Sequence, residues 1–110
     1  MEMTKETQEK IGQLQLIEQN MQNMMAQKQQ FQAQMVEIES ALKELKNSKT
    51  AYKIVGNIMV SSDRESLEKD LNEKKEMMEL RIKALEKQEE QVKEKAQKIQ
   101  QEVMGSIKED

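Results

Sequence analysis

The side chains able to do chemistry here are few in kind. The 110 residues carry 18 lysines and arginines and 21 aspartates and glutamates, but no cysteine and no histidine. Without cysteine there is no thiolate nucleophile, no Cys-based zinc site and no disulfide. Without histidine the commonest general base and the commonest neutral metal ligand are missing too. The lysines and glutamates recur as they do on solvated helix faces, and no nucleophile–base pair stands out among them. Gly12, Gly56 and Gly105 are isolated, so no phosphate-cradling loop is expected. Only Arg64 and Arg81 are arginines and the net charge is −3, which argues against nucleic acid as a partner. What remains is apolar contact chemistry: ten methionines, scattered Ile, Leu and Val, and a β-branched run at mid-chain. No enzyme, cofactor or metal is expected.

The elements that carry these residues follow from composition and period. Hydrophobic residues make up 35% of the chain and charged residues another 35%, with no proline, the balance of long helices with narrow apolar seams. No apolar run approaches the roughly 18–20 residues of a membrane span, and the N-terminus lacks a signal-peptide pattern. The expectation is a soluble, cytoplasmic interaction protein with no membrane partner.

In the first segment Leu14, Ile17, Met21, Met24, Lys28, Phe31, Met35, Ile38, Leu42 and Leu45 alternate in threes and fours without a slip. In the second, Leu71, Lys75, Met78, Ile82, Leu85, Glu89, Val92, Ala96, Ile99 and Val103 do the same. Such heptads mark a coiled coil, with these residues at positions a and d. Ser62 and Glu65 resemble a capping box at the start of the second helix, and Gly105 is a plausible stop. The chain thus reads as one domain: helix over 1–46, linker and hairpin over 47–61, helix over 62–104, and a frayed tail over 105–110. Each arm would be about 60 Å long at the helical rise of ~1.5 Å.

Between the arms, Tyr52-Lys53-Ile54-Val55 and Ile58-Met59-Val60-Ser61 flank Gly56-Asn57, which predicts a β-hairpin with a type II′ turn. That turn pairs Val55 with Ile58, so partners sum to 113. Carried into the arms, the same sum sets Leu42 against Leu71, Phe31 against Ile82 and Leu14 against Ile99. Every a position meets a d position, as an antiparallel coiled coil requires. Lys28 and Glu89 fall one layer apart, and two outcomes stay open: a pair that fixes register, or two stems snorkelling outward. Lys75, opposite Ile38, is expected to snorkel.

Both faces of the hairpin are apolar and both edges leave backbone groups unpaired. An isolated two-stranded hairpin is marginal in water, so the expectation is a sheet completed by other subunits. The alternative is a hairpin folded onto its own helices. Near the free ends, Ile11, Leu16, Met25, Met104 and Ile107 are apolar residues off the seam. From Gln13 to Gln34 the first helix has nine glutamines and only two charges, Glu18 and Lys28. A charge-poor, methionine-rich surface suits differently shaped apolar partners, although methionines at this spacing are also ordinary seam residues. Val36, Met77 and Leu80 form a second off-seam cluster.

The Tyr52-Lys53-Ile54-Val55-Gly56 run, the single hairpin ending at Val60 and the helices on either side resemble the β-class subunit of prefoldin. The glutamine-rich first arm with Gly12 and Leu14 extends the likeness over nearly the whole chain. The resemblance implies an all-α-dominated fold, a two-helix coiled coil whose β-hairpin joins an intersubunit β-barrel. It implies a hexamer of two α-class and four β-class subunits, assembled through Tyr52, Ile54, Val55, Gly56, Ile58, Met59 and Val60. It further implies an ATP-independent holdase that binds unfolded polypeptides at tips formed by Ile11, Leu14, Leu16, Ile17, Ile99, Val103, Met104 and Ile107. Clients would pass to a group II chaperonin. The competing reading is a structural coiled-coil scaffold without client binding.

Overall fold

The computed structural model describes residues 4–109, with side chains as far as Ser106. Four elements follow one another: α1 (Lys5–Lys46), β1 (Ala51–Val55), β2 (Ile58–Ser62) and α2 (Arg64–Glu109).

Helix α1 begins at a side-chain cap. The Thr7 N–H donates to the Thr4 hydroxyl oxygen at 3.1 Å, and the two hydroxyls lie 2.9 Å apart. This satisfies one of the four amides that a helix start leaves without an intrahelical acceptor. At the other end, the Asn47 and Ser48 amides turn back to the Glu44 and Leu45 carbonyls at 3.2 and 3.3 Å, three-residue bonds that tighten the last turn. The Arg64 guanidinium then donates to the carbonyls of Lys46 at 3.1 Å and Ser48 at 3.4 Å. The first residue of α2 thereby caps the last carbonyl of α1 and holds the connection after it, where a cation also suits the helix dipole.

The strands pair antiparallel from Ala51 with Ser62 to Val55 with Ile58, the expected register. Gly56 has φ +61° while Asn57 keeps a negative φ, the combination that defines a type II′ turn and that glycine adopts without steric strain.

Two expected boundaries are corrected. Ser62 is the last residue of β2, where it pairs with Ala51, so it does not cap α2. Asp63 stands before the helix instead, and its carbonyl accepts the first intrahelical bond, from the Leu67 amide at 3.0 Å. The ladder claims Ser62 before the helix can. Gly105 does not end α2 either, because the helix runs through it to Glu109. Glycine stops a helix by taking a positive φ; Gly105 does not take one, and a helical glycine costs only about 1 kcal/mol.

The chain divides into two compact units, Gln29–Lys83 (the hairpin unit) and Met1–Lys28 with Ala84–Asp110 (the helical unit). In both, α1 and α2 meet along the expected seam. Every a and d residue named above is half-buried or buried, while most of the residues between them are exposed. In the hairpin unit the seam holds Phe31, Met35, Ile38 and Leu42 with Leu71, Met78 and Ile82. Arg81 lies over the Phe31 ring, 5.7 Å from its centroid, within cation–π range. Lys75 reaches Glu39 on α1 at 3.7 Å, so it does leave the seam, but toward an ion pair. In the helical unit Leu85, Ile99 and Val103 are the most buried apolar side chains. Thr7, only 3% exposed, and Lys10 continue the heptad beyond Leu14. A half-buried Leu or Met in such a seam contributes about 1 kcal/mol, so stability is spread thinly along it.

Candidate functional site

Two surfaces hold the residues singled out by sequence. The first is the hairpin. Strand alternation places Tyr52, Ile54 and Met59 on one face and Val55, Ile58 and Val60 on the other. All six are exposed, from 42% at Val60 to 69% at Ile54. The sheet has only these two strands among the described residues, so each strand has one edge of unpaired backbone groups. Ile54 and Met59, with Leu45, Leu67, Leu71 and Met77, line an open groove of about 820 Å³ in the hairpin unit. No local element covers these faces. Their burial needs another chain, since contiguous apolar surface beside strand edges favours sheet pairing.

The second surface lies in the helical unit, where the structure sorts the expected tip residues. Leu16 and Met104 are exposed, at 63% and 57%, and Met25 at 52% joins them. Ile11, Leu14 and Ile17 are half-buried. Ile99 and Val103 are buried, each 8% exposed, and this corrects their expected availability to a partner. They are seam residues, and a side chain that fills the seam between two helices cannot also face outward. The Ile107 side chain lies outside the described residues.

Electrostatics in the helical unit gather at the seam. Lys28 Nζ donates to Glu89 Oε2 at 3.1 Å, with both side chains about four-fifths buried (22% and 18% exposed). Of the two outcomes open in the sequence, pairing is the one realised. Glu89 Oε1 is buried without a hydrogen-bond partner among the described residues. Lys10 bridges to Glu102 at 3.3 Å, and the hydrogen bond to that carboxylate raises the lysine pKa above its ordinary value. Thr7 and Lys10 were invisible to a search for apolar periodicity because they are polar side chains at a and d positions. Among the described residues no group of metal-ligating side chains occurs, and among them no helix is long and apolar enough to cross a membrane.

Two long helices joined by one β-hairpin, with an apolar sheet left uncovered, define a coiled-coil subunit built for assembly. A profile of the prefoldin subunit family matches residues 8–109. Prefoldin subunit beta of Archaeoglobus fulgidus is 38% identical over 109 residues, covering 96% of this chain and 94% of that protein. The β subunit of Methanothrix thermoacetophila is 34% identical, covering 96% and 91%. The crystal structure of the prefoldin β subunit from Thermococcus strain KS-1 superposes with a TM-score of 0.88 at 30% identity, covering 94% of each chain. The chain belongs to the prefoldin family, in its β class, and is by family a chaperone subunit. In this fold the hairpin is the part that joins a β-barrel built between subunits.

Proposed function

We propose that this chain works as one of four β-class subunits which, with two α-class subunits, form a hexamer that holds unfolded polypeptides. It would do so in the cytoplasm, without ATP or any cofactor and without catalysing a reaction, and pass its clients to a group II chaperonin. One observation carries the reading: Leu16 and Met104 stand 63% and 57% exposed beside a stretch of α1 with nine glutamines and two charges between Gln13 and Gln34. Such a surface repels neither acidic nor basic clients, and methionine adapts to differently shaped apolar groups. One such patch binds weakly; several in one assembly gain avidity from their geometry. A partner that prefers the unfolded state withdraws it from aggregation by mass action.

The test is the triple variant Ile11→Ser, Leu16→Ser and Met104→Ser, co-expressed with an α-class subunit. Helicity and the mass of the complex are expected to stay as in the wild type, while suppression of light scattering by an aggregating client falls to near background. Full suppression by the variant complex would favour the scaffold reading and overturn this one.

A further inference from the structure

The helical unit also holds a groove of about 300 Å³ along one flank of the seam. Its walls are Asn20, Asn23 and Gln27 on α1 and Gln88 and Gln91 on α2, and its floor is formed by Met24 and Val92. Asn20, Gln27 and Gln88 occupy heptad position g, where coiled coils ordinarily place charges that pair across the seam. Elsewhere in the same unit a charge at g does so, as Glu102 does with Lys10 of the seam. Here both helices supply carboxamides instead. All five are exposed, and among the described residues none of their side chains makes a hydrogen bond to the protein.

A carboxamide offers two N–H donors and a carbonyl acceptor, whereas lysine only donates and an ionised carboxylate only accepts. The natural counterpart of such a wall is a group that also donates and accepts at regular intervals. An extended peptide backbone is that group: its N–H and C=O recur along one edge every two residues, about 6.6–6.8 Å. Asn20, Asn23 and Gln27 step along α1 by about 4.5 and 6 Å, within the range flexible amide side chains can adjust. The apolar floor of Met24 and Val92 suits an apolar side chain of the bound segment. Leu16, one turn before Asn20 on the same flank and 63% exposed, lengthens the track with an apolar anchor.

We infer that this amide-walled groove binds an extended, unfolded polypeptide through its main chain. The inference rests on the client-holding reading above and refines it: apolar residues such as Leu16 attract the client, and the amides recognise what every unfolded sequence shares. It places part of the client contact on the flank of the coiled coil, among residues that no apolar search selects.

The experiment measures binding of two fluorescent peptides of one apolar sequence to the complex with an α-class subunit. One peptide is unmodified and the other carries an N-methyl group on every amide, which removes the donors from both of its edges. A five-alanine variant (N20A, N23A, Q27A, Q88A, Q91A) is measured alongside, its fold checked by helicity and complex mass; alanine favours the helix. The wild type is expected to bind the unmodified peptide about tenfold more tightly, the sum of a few modest hydrogen bonds. The variant should bind both peptides alike, at the weaker level. Equal binding of both peptides by the wild type would overturn the inference and leave the client-holding reading standing, as would discrimination retained by the variant. No binding of either peptide by the wild type would overturn both.

Discussion

The hairpin and the helical unit expose apolar side chains to similar degrees, Ile54 at 69% and Leu16 at 63%, yet they differ in what lies beneath. Under Ile54 is a strand whose outer edge has unpaired N–H and C=O groups; under Leu16 is a helix whose backbone is satisfied internally. A strand edge demands a partner in register and at fixed spacing, because each backbone bond is directional. A helix face asks only for apolar contact, which is not directional. On the proposed function, the same hydrophobicity would serve stoichiometric assembly at one place and loose, exchangeable contact at the other. The contrast teaches that exposure alone does not tell an assembly surface from a capture surface. The state of the backbone does.

The sharpest way to break the comparison is at the hairpin. Ile54→Thr with Met59→Thr keeps β propensity but removes two apolar side chains from one face, a loss of about 3–5 kcal/mol per chain. Mass by light scattering should fall from complex to free chains, with helicity unchanged. The pair Val55→Thr and Ile58→Thr on the other face sharpens it, since the more damaging pair marks the face turned into the barrel. A smaller effect is expected at the seam. Glu89→Ala strands Lys28 without a partner and should destabilise the fold by about 1–3 kcal/mol in urea titration, less than for a fully buried pair. Lys28→Leu with Glu89→Leu should restore or exceed wild-type stability, because two apolar residues there need no desolvation. The smallest effect belongs to the cap: Thr4→Ala should cost about 1 kcal/mol and speed hydrogen exchange at the Thr7 amide, leaving the hairpin amides unchanged.

Much of this was legible in the sequence because period and turn chemistry are local. The heptads were uninterrupted, Gly56-Asn57 set the strand register, and the sum carried from that turn placed Lys28 within one layer of Glu89, where the structure pairs them at 3.1 Å. The failures came where two local preferences competed. Ser62 can cap a helix or pair in a ladder, and the spacing of residues does not say which it does. Gly105 stops a helix only when the chain must turn. Thr7 and Lys10 continue the seam as polar residues, and the heptad positions of Ile99 and Val103 consign them to the interior, which a likeness to client-holding tips does not reveal. The floor of the amide groove, Met24 and Val92, was legible only as seam, and its α1 amides only as part of the charge-poor stretch from Gln13 to Gln34.

The turn at Gly56 acts as the zero mark of a ruler folded at its midpoint. A residue gained or lost on one side of it displaces every partner farther from the turn on that side against the other. Changes of length during divergence should therefore come as matched heptads, added or removed from both helices together. Relatives of different length should keep Gly56-Asn57 at the centre of symmetry.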